Sequence, residues 1–164
     1  MQQHSGEHMV SGVVHRRYGL DNVGFHMGAD VITIDFSGIL TESQLLEVEQ
    51  EVNRRIWNDS PVRCWYPVPE ELEKLRYRSK KALDWPVRLV EFPETDLCAC
   101  CGTHVARTGE IGLVKFLSVE KFHSGIRIEL LSGKRAYRYL NDVVRQNRQV
   151  FAIPIRAEQN TGII

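Results

Sequence analysis

This sequence has no long apolar run. No segment approaches the roughly 20 apolar residues that cross a bilayer, and the first residues hold histidines and a glutamate where a secretory signal has a basic stretch and an apolar core. A soluble, cytoplasmic protein is the expectation. An excess of charge of one sign is missing too. Lysine plus arginine and aspartate plus glutamate number 21 each, so no overall field draws nucleic acid in, and any RNA contact must be local. Cysteine is sparse. Of the four (Cys64, Cys98, Cys100, Cys101), three fall within four positions, which is no spaced disulfide framework and in a reducing compartment points to metal binding. Internal repeats and low-complexity segments are lacking as well. What remains, 164 residues with 43% hydrophobic and 26% charged, is the composition of one ordinary globular domain with a substantial core.

Two short pairs of metal-ligand residues stand far apart in this background, His4-Ser5-Gly6-Glu7-His8 and Cys100-Cys101-Gly102-Thr103-His104. In each, the second ligand follows the first by four, which on a helix puts both side chains on one face about a turn apart. Each pair is half a tetrahedron, and together they suggest one zinc site. Neither is specific alone, because histidines at that spacing often only pack or cap a helix.

The pattern around them alternates helices and strands. Met9, Val10, Val13 and Val14 form a helical stripe from His4 to about Tyr18, ended by Gly19, with His4 and His8 near its buried side. Residues 22–27 and 30–36 read as strands joined by a turn at Gly28-Ala29, with Ile32, Ile34 and Phe36 on one face of the second. Thr41 to Gln44 has the form of a capping box, opening a helix carried by Leu45, Val48, Val52 and Ile56 and broken at 58–61. Residues 62–68 read as a strand, and Pro69 opens a short helix through about Arg78. Val87 to Phe92 is a further strand, and the cysteine segment is a loop. Residues 112–119 and 126–131 are paired strands around Ser124-Gly125, and Lys134 to about Val150 is helical with Ala136, Leu140, Val143 and Val144 on its apolar side. The expected fold is α+β, a mostly antiparallel sheet with packed helices and a zinc site between the first helix and the Cys/His segment. Residues 1–150 form the domain and 151–164 a tail leading off it.

With the ligand pairs, the run Ile34-Asp35-Phe36, the block Cys100 to Val105 followed by Thr108-Gly109-Glu110-Ile111-Gly112, and Gly125 to Glu129, the chain resembles the alanyl-tRNA editing proteins. These are freestanding relatives of the alanyl-tRNA synthetase editing domain. Threonyl editing domains share the ligand pattern but carry proline before the last histidine, where this chain has Thr103. The resemblance implies hydrolysis of the ester between serine or glycine and an alanine tRNA, with mischarged tRNA as partner and Zn2+ held by His4, His8, Cys100 and His104. A register shifted by one would use Cys101. Four protein ligands close a tetrahedron, the mark of a structural ion, so a catalytic reading requires one of them, such as Cys100 or His104, to coordinate loosely.

Other candidates are weighed against plainer roles. His26, near the position where the family has glutamine beside the substrate, is a candidate to orient water or accept a proton, or is a satisfied strand histidine. Glu7 is a base or a ligand-orienting group, or a solvated helix glutamate. Thr103 has a hydroxyl suited to telling serine or glycine from alanine, or is a turn residue. Arg127 meets phosphate or pairs with a carboxylate on the sheet. Lys74, Arg76, Arg78, Lys80 and Lys81, with Tyr77 among them, form a basic stretch suited to tRNA, or a solvated helix face. Two rival functions stand beside editing: a noncatalytic zinc-stabilised tRNA-binding or interaction module, and a redox or metal-transfer cluster at Cys98, Cys100 and Cys101.

Overall fold

A computed structural model describes residues 1–79 and 86–151. In chain order it contains α1 (Gln2–Tyr18), β1 (Asn22–Met27), β2 (Ile32–Phe36), α2 (Glu42–Trp57), β3 (Arg63–Trp65), α3 (Pro69–Leu72), β4 (Leu89–Phe92) and β5 (Asp96–Ala99). A 3-10 turn at Thr108–Ile111, β6 (Val114–Phe122), β7 (Gly125–Ser132) and α4 (Gly133–Phe151) complete it. The class is α+β, and the strands described here form two antiparallel sheets, one ordered β1-β2-β7-β6 and the other β3-β4-β5.

The expected stripe on α1 understates its burial. From Ser5 to Val14 every residue is buried, because the helix packs against β1, β5, β7, α2 and the 3-10 turn. Small residues make these approaches possible. A side chain at Gly6 would collide with Ser132, and one at Gly12 would meet the Thr95 carbonyl oxygen at 2.5 Å. Gly19 closes the helix in the left-handed region, φ 65°, with its N–H bonded to the His15 carbonyl. The start is pinned by Gln3, whose side-chain amide donates to the Ser132 carbonyl and accepts from the Ser132 N–H at 3.0 Å.

The capping box at Thr41 and Gln44 forms in both directions, and Val48, Val52 and Ile56 bury the inner face of α2. Asn53 on the same helix exchanges two hydrogen bonds of 2.8 Å with the Val114 backbone and so fixes where β6 begins. Ile32, Ile34 and Phe36 of β2 reach the core with Ile126, Ile128 and Leu130 of β7, since directly paired residues share a face.

Three expectations need correction. The cysteine segment is not all loop: residues 96–99 pair with β4 as a strand, Phe92 opposite Asp96 and Leu89 opposite Ala99, giving a second sheet where one was expected. The helix opened by Pro69 ends after a single turn at Leu72. The backbone of Arg78 instead finds partners on β5, its N–H donating to the Leu97 carbonyl (2.8 Å) and its carbonyl accepting from the Ala99 N–H (2.9 Å). The strand expected over 62–68 is confined to Arg63–Trp65. Lys80 and Lys81 and the tail from residue 152 onward lie outside the described residues. No helix among the described residues is long and apolar enough to cross a membrane.

Candidate metal centre

α1 supplies His4 and His8 one turn apart, and the segment leaving β5 supplies Cys100 and His104. Donor atoms of these four side chains all lie within 4.8 Å of one another. The Cys100 Sγ is 3.6 Å from His4 Nε2, and the Gly102 N–H points at the sulfur from 3.4 Å. The His104 ring centroid is 4.4 Å from that of His4 and 4.7 Å from that of His8. Phe92 stacks on His8 at 5.5 Å and Phe25 on His4 at 5.9 Å, walling the cluster with hydrocarbon.

The polar partners of the rings aim them inward. His8 Nδ1 lies 2.9 Å from Asp96 Oδ2. Ser5 Oγ accepts from the Val105 N–H at 3.2 Å and lies 3.4 Å from His104 Nδ1. The opposite nitrogen, His104 Nε2, is buried with no hydrogen-bond partner among the described residues. A buried, unpartnered imidazole nitrogen beside a cysteine sulfur is a position that an ion would satisfy. Arg88 shapes the loop by donating from one Nη to the carbonyls of Cys100 (2.8 Å) and Gly102 (2.9 Å). A side chain at Gly102 would overlap the His4 ring.

The electrostatics favour ligand-ready forms at two positions. Burial pushes the Cys100 thiol up, but the neighbouring His104, His4 and His8 rings and the Gly102 N–H outweigh it and bring the group down to about 3, a thiolate at neutral pH. Burial, with the neighbouring His8 and His4 charges, holds His104 below its ordinary value despite the pull of Cys100. His8 behaves oppositely. Burial opposes its charge, yet Asp96, with Cys100, Cys98 and Glu7, raises it well above the ordinary value, so an ion binding there displaces a proton. Two imidazoles or more with one thiolate form a donor set suited to Zn2+.

The remaining candidates divide. Glu7 is no solvated glutamate: it is 3% exposed, accepts from Ser11 Oγ (2.9 Å) and Asn22 Nδ2, and has Oε2 3.8 Å from His8 Nε2. Thr103 is exposed beside His104. His26 is exposed and pairs with Thr33. Because Phe25 faces His4, strand alternation turns His26 to the sheet's opposite face, away from the cluster. Arg127 lies on that outward face too, its fork spent on Asp35 at 2.7 and 2.9 Å and its guanidinium 3.7 Å from the centre of the Phe122 ring. Lys74 and Arg76 are exposed. Arg78 turns inward to Asp96, at 2.7 and 2.8 Å, and offers no free fork to phosphate. Cys98 is buried near His8 and Asp96, Cys101 is exposed, and all four cysteines are free. Two surface clefts, of about 640 and 530 Å³, share His15, Tyr77 and Arg78 in their linings and include none of the four candidate donors.

Sequence reasoning missed Arg88 and Asp96. Asp96, Cys98 and Cys100 recur at every second position, the period of one strand face, a signal hidden by treating the cysteines as a loop.

Comparison with known proteins gives the cluster its context. Residues 87–129 match the family model described as the threonyl and alanyl tRNA synthetase second additional domain. The chain is 36% identical to the alanyl-tRNA editing protein AlaX-L of Pyrococcus horikoshii, over 88% of this chain and 37% of that protein. Over most of its own length the chain is similar to the alanyl-tRNA editing proteins. It is also 31% identical to alanyl-tRNA editing protein Aarsd1-A of Xenopus laevis, over 86% of this chain and 35% of that protein. With an alanine–tRNA ligase of Thermofilum pendens it shares 33% identity over 85% of this chain and 16% of the enzyme. The chain thus spans little more than a third of the editing proteins it matches, and less of the ligase.

Proposed function

We propose that this chain is an aminoacyl-tRNA deacylase that hydrolyses the ester of alanine tRNA mischarged with serine or glycine, acting in trans as translational quality control in the cytoplasm. The observation that carries the reading is the convergence of His4, His8, Cys100 and His104 within 4.8 Å of one another in a relative of editing proteins. An aminoacyl ester is already reactive, so the site needs chiefly to hold the terminal adenosine and amino acid, place a water and stabilise the oxyanion. A bound Zn2+ would supply an orienting template and Lewis acidity there.

The chain's own residues do the rest. Cys100 enters as a thiolate, and His104 turns its unpartnered Nε2 toward the cluster. Glu7, in its buried network with Ser11 and Asn22, keeps a carboxylate oxygen next to His8 and is placed to take a proton from water or to hold the substrate's ammonium. The exposed Thr103 hydroxyl beside His104 is placed to sense the serine hydroxyl. Lys74 and Arg76, exposed and without an ion-pair partner among the described residues, are proposed to meet the tRNA backbone.

The test is serine release from serine-charged alanine tRNA, beside alanine-charged tRNA, with zinc quantified in the wild type and Cys100→Ala. Selective serine release that vanishes with Cys100 and zinc supports the reading. A folded, zinc-loaded protein that releases neither amino acid defeats it for this chain. The completeness of the four-donor set favours a second reading, a noncatalytic zinc-stabilised module. That reading requires Thr103→Ala to leave tRNA binding and zinc content unchanged with no turnover to lose.

A further inference from the structure

We propose that Arg78 and Asp96 are positioning residues for His8, fixing the ring orientation and tautomer that turn its Nε2 into the cluster. The proposal rests on the metal reading above. Asp96 has both carboxylate oxygens engaged: Oδ1 accepts from Arg78 Nε at 2.7 Å, and Oδ2 accepts from Arg78 Nη2 at 2.8 Å and lies 2.9 Å from His8 Nδ1. An ionised carboxylate only accepts, so the hydrogen of that last contact belongs to His8 Nδ1, and the lone pair of the neutral ring falls on Nε2. The chemistry of the acceptor dictates the tautomer.

The chain is built to keep these three side chains together. Asp96 is held in β5 opposite Phe92, and its side chain is 1% exposed. Arg78 is tied to the same strand on both sides of its peptide, to Leu97 and Ala99. On the helix side, a Cβ at Gly12 would meet the Thr95 carbonyl oxygen at 2.5 Å and the Asp96 Cβ at 2.6 Å. The lack of a side chain at position 12, one turn after His8, is therefore what lets Asp96 come within reach of the ring. Removing Arg78 would leave the buried Asp96 carboxylate half satisfied, and removing Asp96 would leave the Arg78 guanidinium and His8 Nδ1 without their shared acceptor.

The experiment measures zinc affinity by competition with a chromophoric chelator for wild type, Asp96→Asn, Arg78→Lys and the surface control Lys121→Ala, with the fold of each metal-free variant checked by thermal unfolding. Outer partners of metal-bound histidines typically contribute ~10–100-fold in affinity. A loss of that size is expected for Asp96→Asn, a smaller one for Arg78→Lys, and none for Lys121→Ala. Cobalt-loaded Asp96→Asn should also show an altered visible spectrum. A folded Asp96→Asn that binds zinc as tightly as wild type, with an unchanged cobalt spectrum, overturns the proposal. Nitrogen-15 NMR of zinc-loaded wild type decides it without any variant: His8 protonated at Nδ1 supports it, and His8 protonated at Nε2 overturns it. If wild type takes up no zinc, the metal reading falls and this proposal with it. If wild type binds zinc and deacylates while Asp96→Asn is unaltered in affinity and spectrum, only the positioning role falls.

Discussion

Ile32, Ile34 and Phe36 on β2 and Asp96 and Cys98 on β5 occupy comparable places, alternate positions of a strand that turn toward the interior around α1, yet they bring opposite chemistry there. The first set is fully buried hydrocarbon, interchangeable in kind, and needs only matching volume opposite it. The second is a carboxylate and a thiol, and its burial is tolerable only because named groups meet it: Arg78 and His8 at Asp96, the Ala99 carbonyl at the Cys98 sulfur. One sheet serves as frame. The other carries reactive groups and owes its order to specific pairing, so damage to the two should be felt in different measurements.

Phe36→Ala, in the frame, is expected to have the largest effect, a loss of ~3–5 kcal/mol of stability measured by denaturant unfolding, with zinc affinity per folded molecule retained. Cys100→Ala attacks the reactive side. It should weaken zinc binding by more than the ~100-fold that bounds the loss of an outer partner, while the metal-free protein loses less stability than Phe36→Ala does, because the sulfur's contacts with His4 and the Gly102 N–H are only part-buried. Equal stability losses in the two variants would erase the contrast between the sheets. Arg127→Ala, on the outward face of the frame, removes a solvent-screened pair with Asp35 and should leave stability close to that of wild type in denaturant unfolding. Deacylation should change less than about twofold, and a larger drop would return Arg127 to the tRNA surface.

The smallest effect concerns Glu51 of α2. Burial raises its carboxyl, but Arg55 and Arg17 outweigh that and hold it below its ordinary 4.5. A depressed carboxyl contributes stability that is present above the unfolded value and lost as pH falls through the folded one. Glu51→Gln should therefore cost under about 1 kcal/mol at pH 7, and melting temperatures of variant and wild type should converge as the pH falls below 4.5.

Elements whose sequence pattern is apolar were legible. The stripe of α1, the alternation of β2 and the capping box of α2 each follow from local periodicity or from hydrogen bonds spanning three residues. The convergence of the four candidate donors was legible for another reason, since two fours-apart pairs of ligand residues are rare enough to notice together. What escaped depends on partners distant in sequence. β5 was hidden because its inward positions are Asp96 and Cys98, which carry no hydrophobic signal. Arg78 read as one cation in a solvated run, and only Asp96, 18 positions onward, draws it inside. Glu7 could not be told from a solvated helix glutamate by sequence, because Asn22, which helps satisfy it, lies on the next strand. His26 was misjudged by one strand position, the step at which β1 changes face.

Gly102 stands against the His4 ring with no room for a side chain. Every replacement of glycine adds at least one carbon, so this position has no near neighbour in sequence space from which a gentler variant could be drawn. The segment from Cys100 to His104 can therefore drift at its exposed members, Cys101 and Thr103, and acquire new preferences there. At Gly102 each route of change begins by moving a histidine of the cluster.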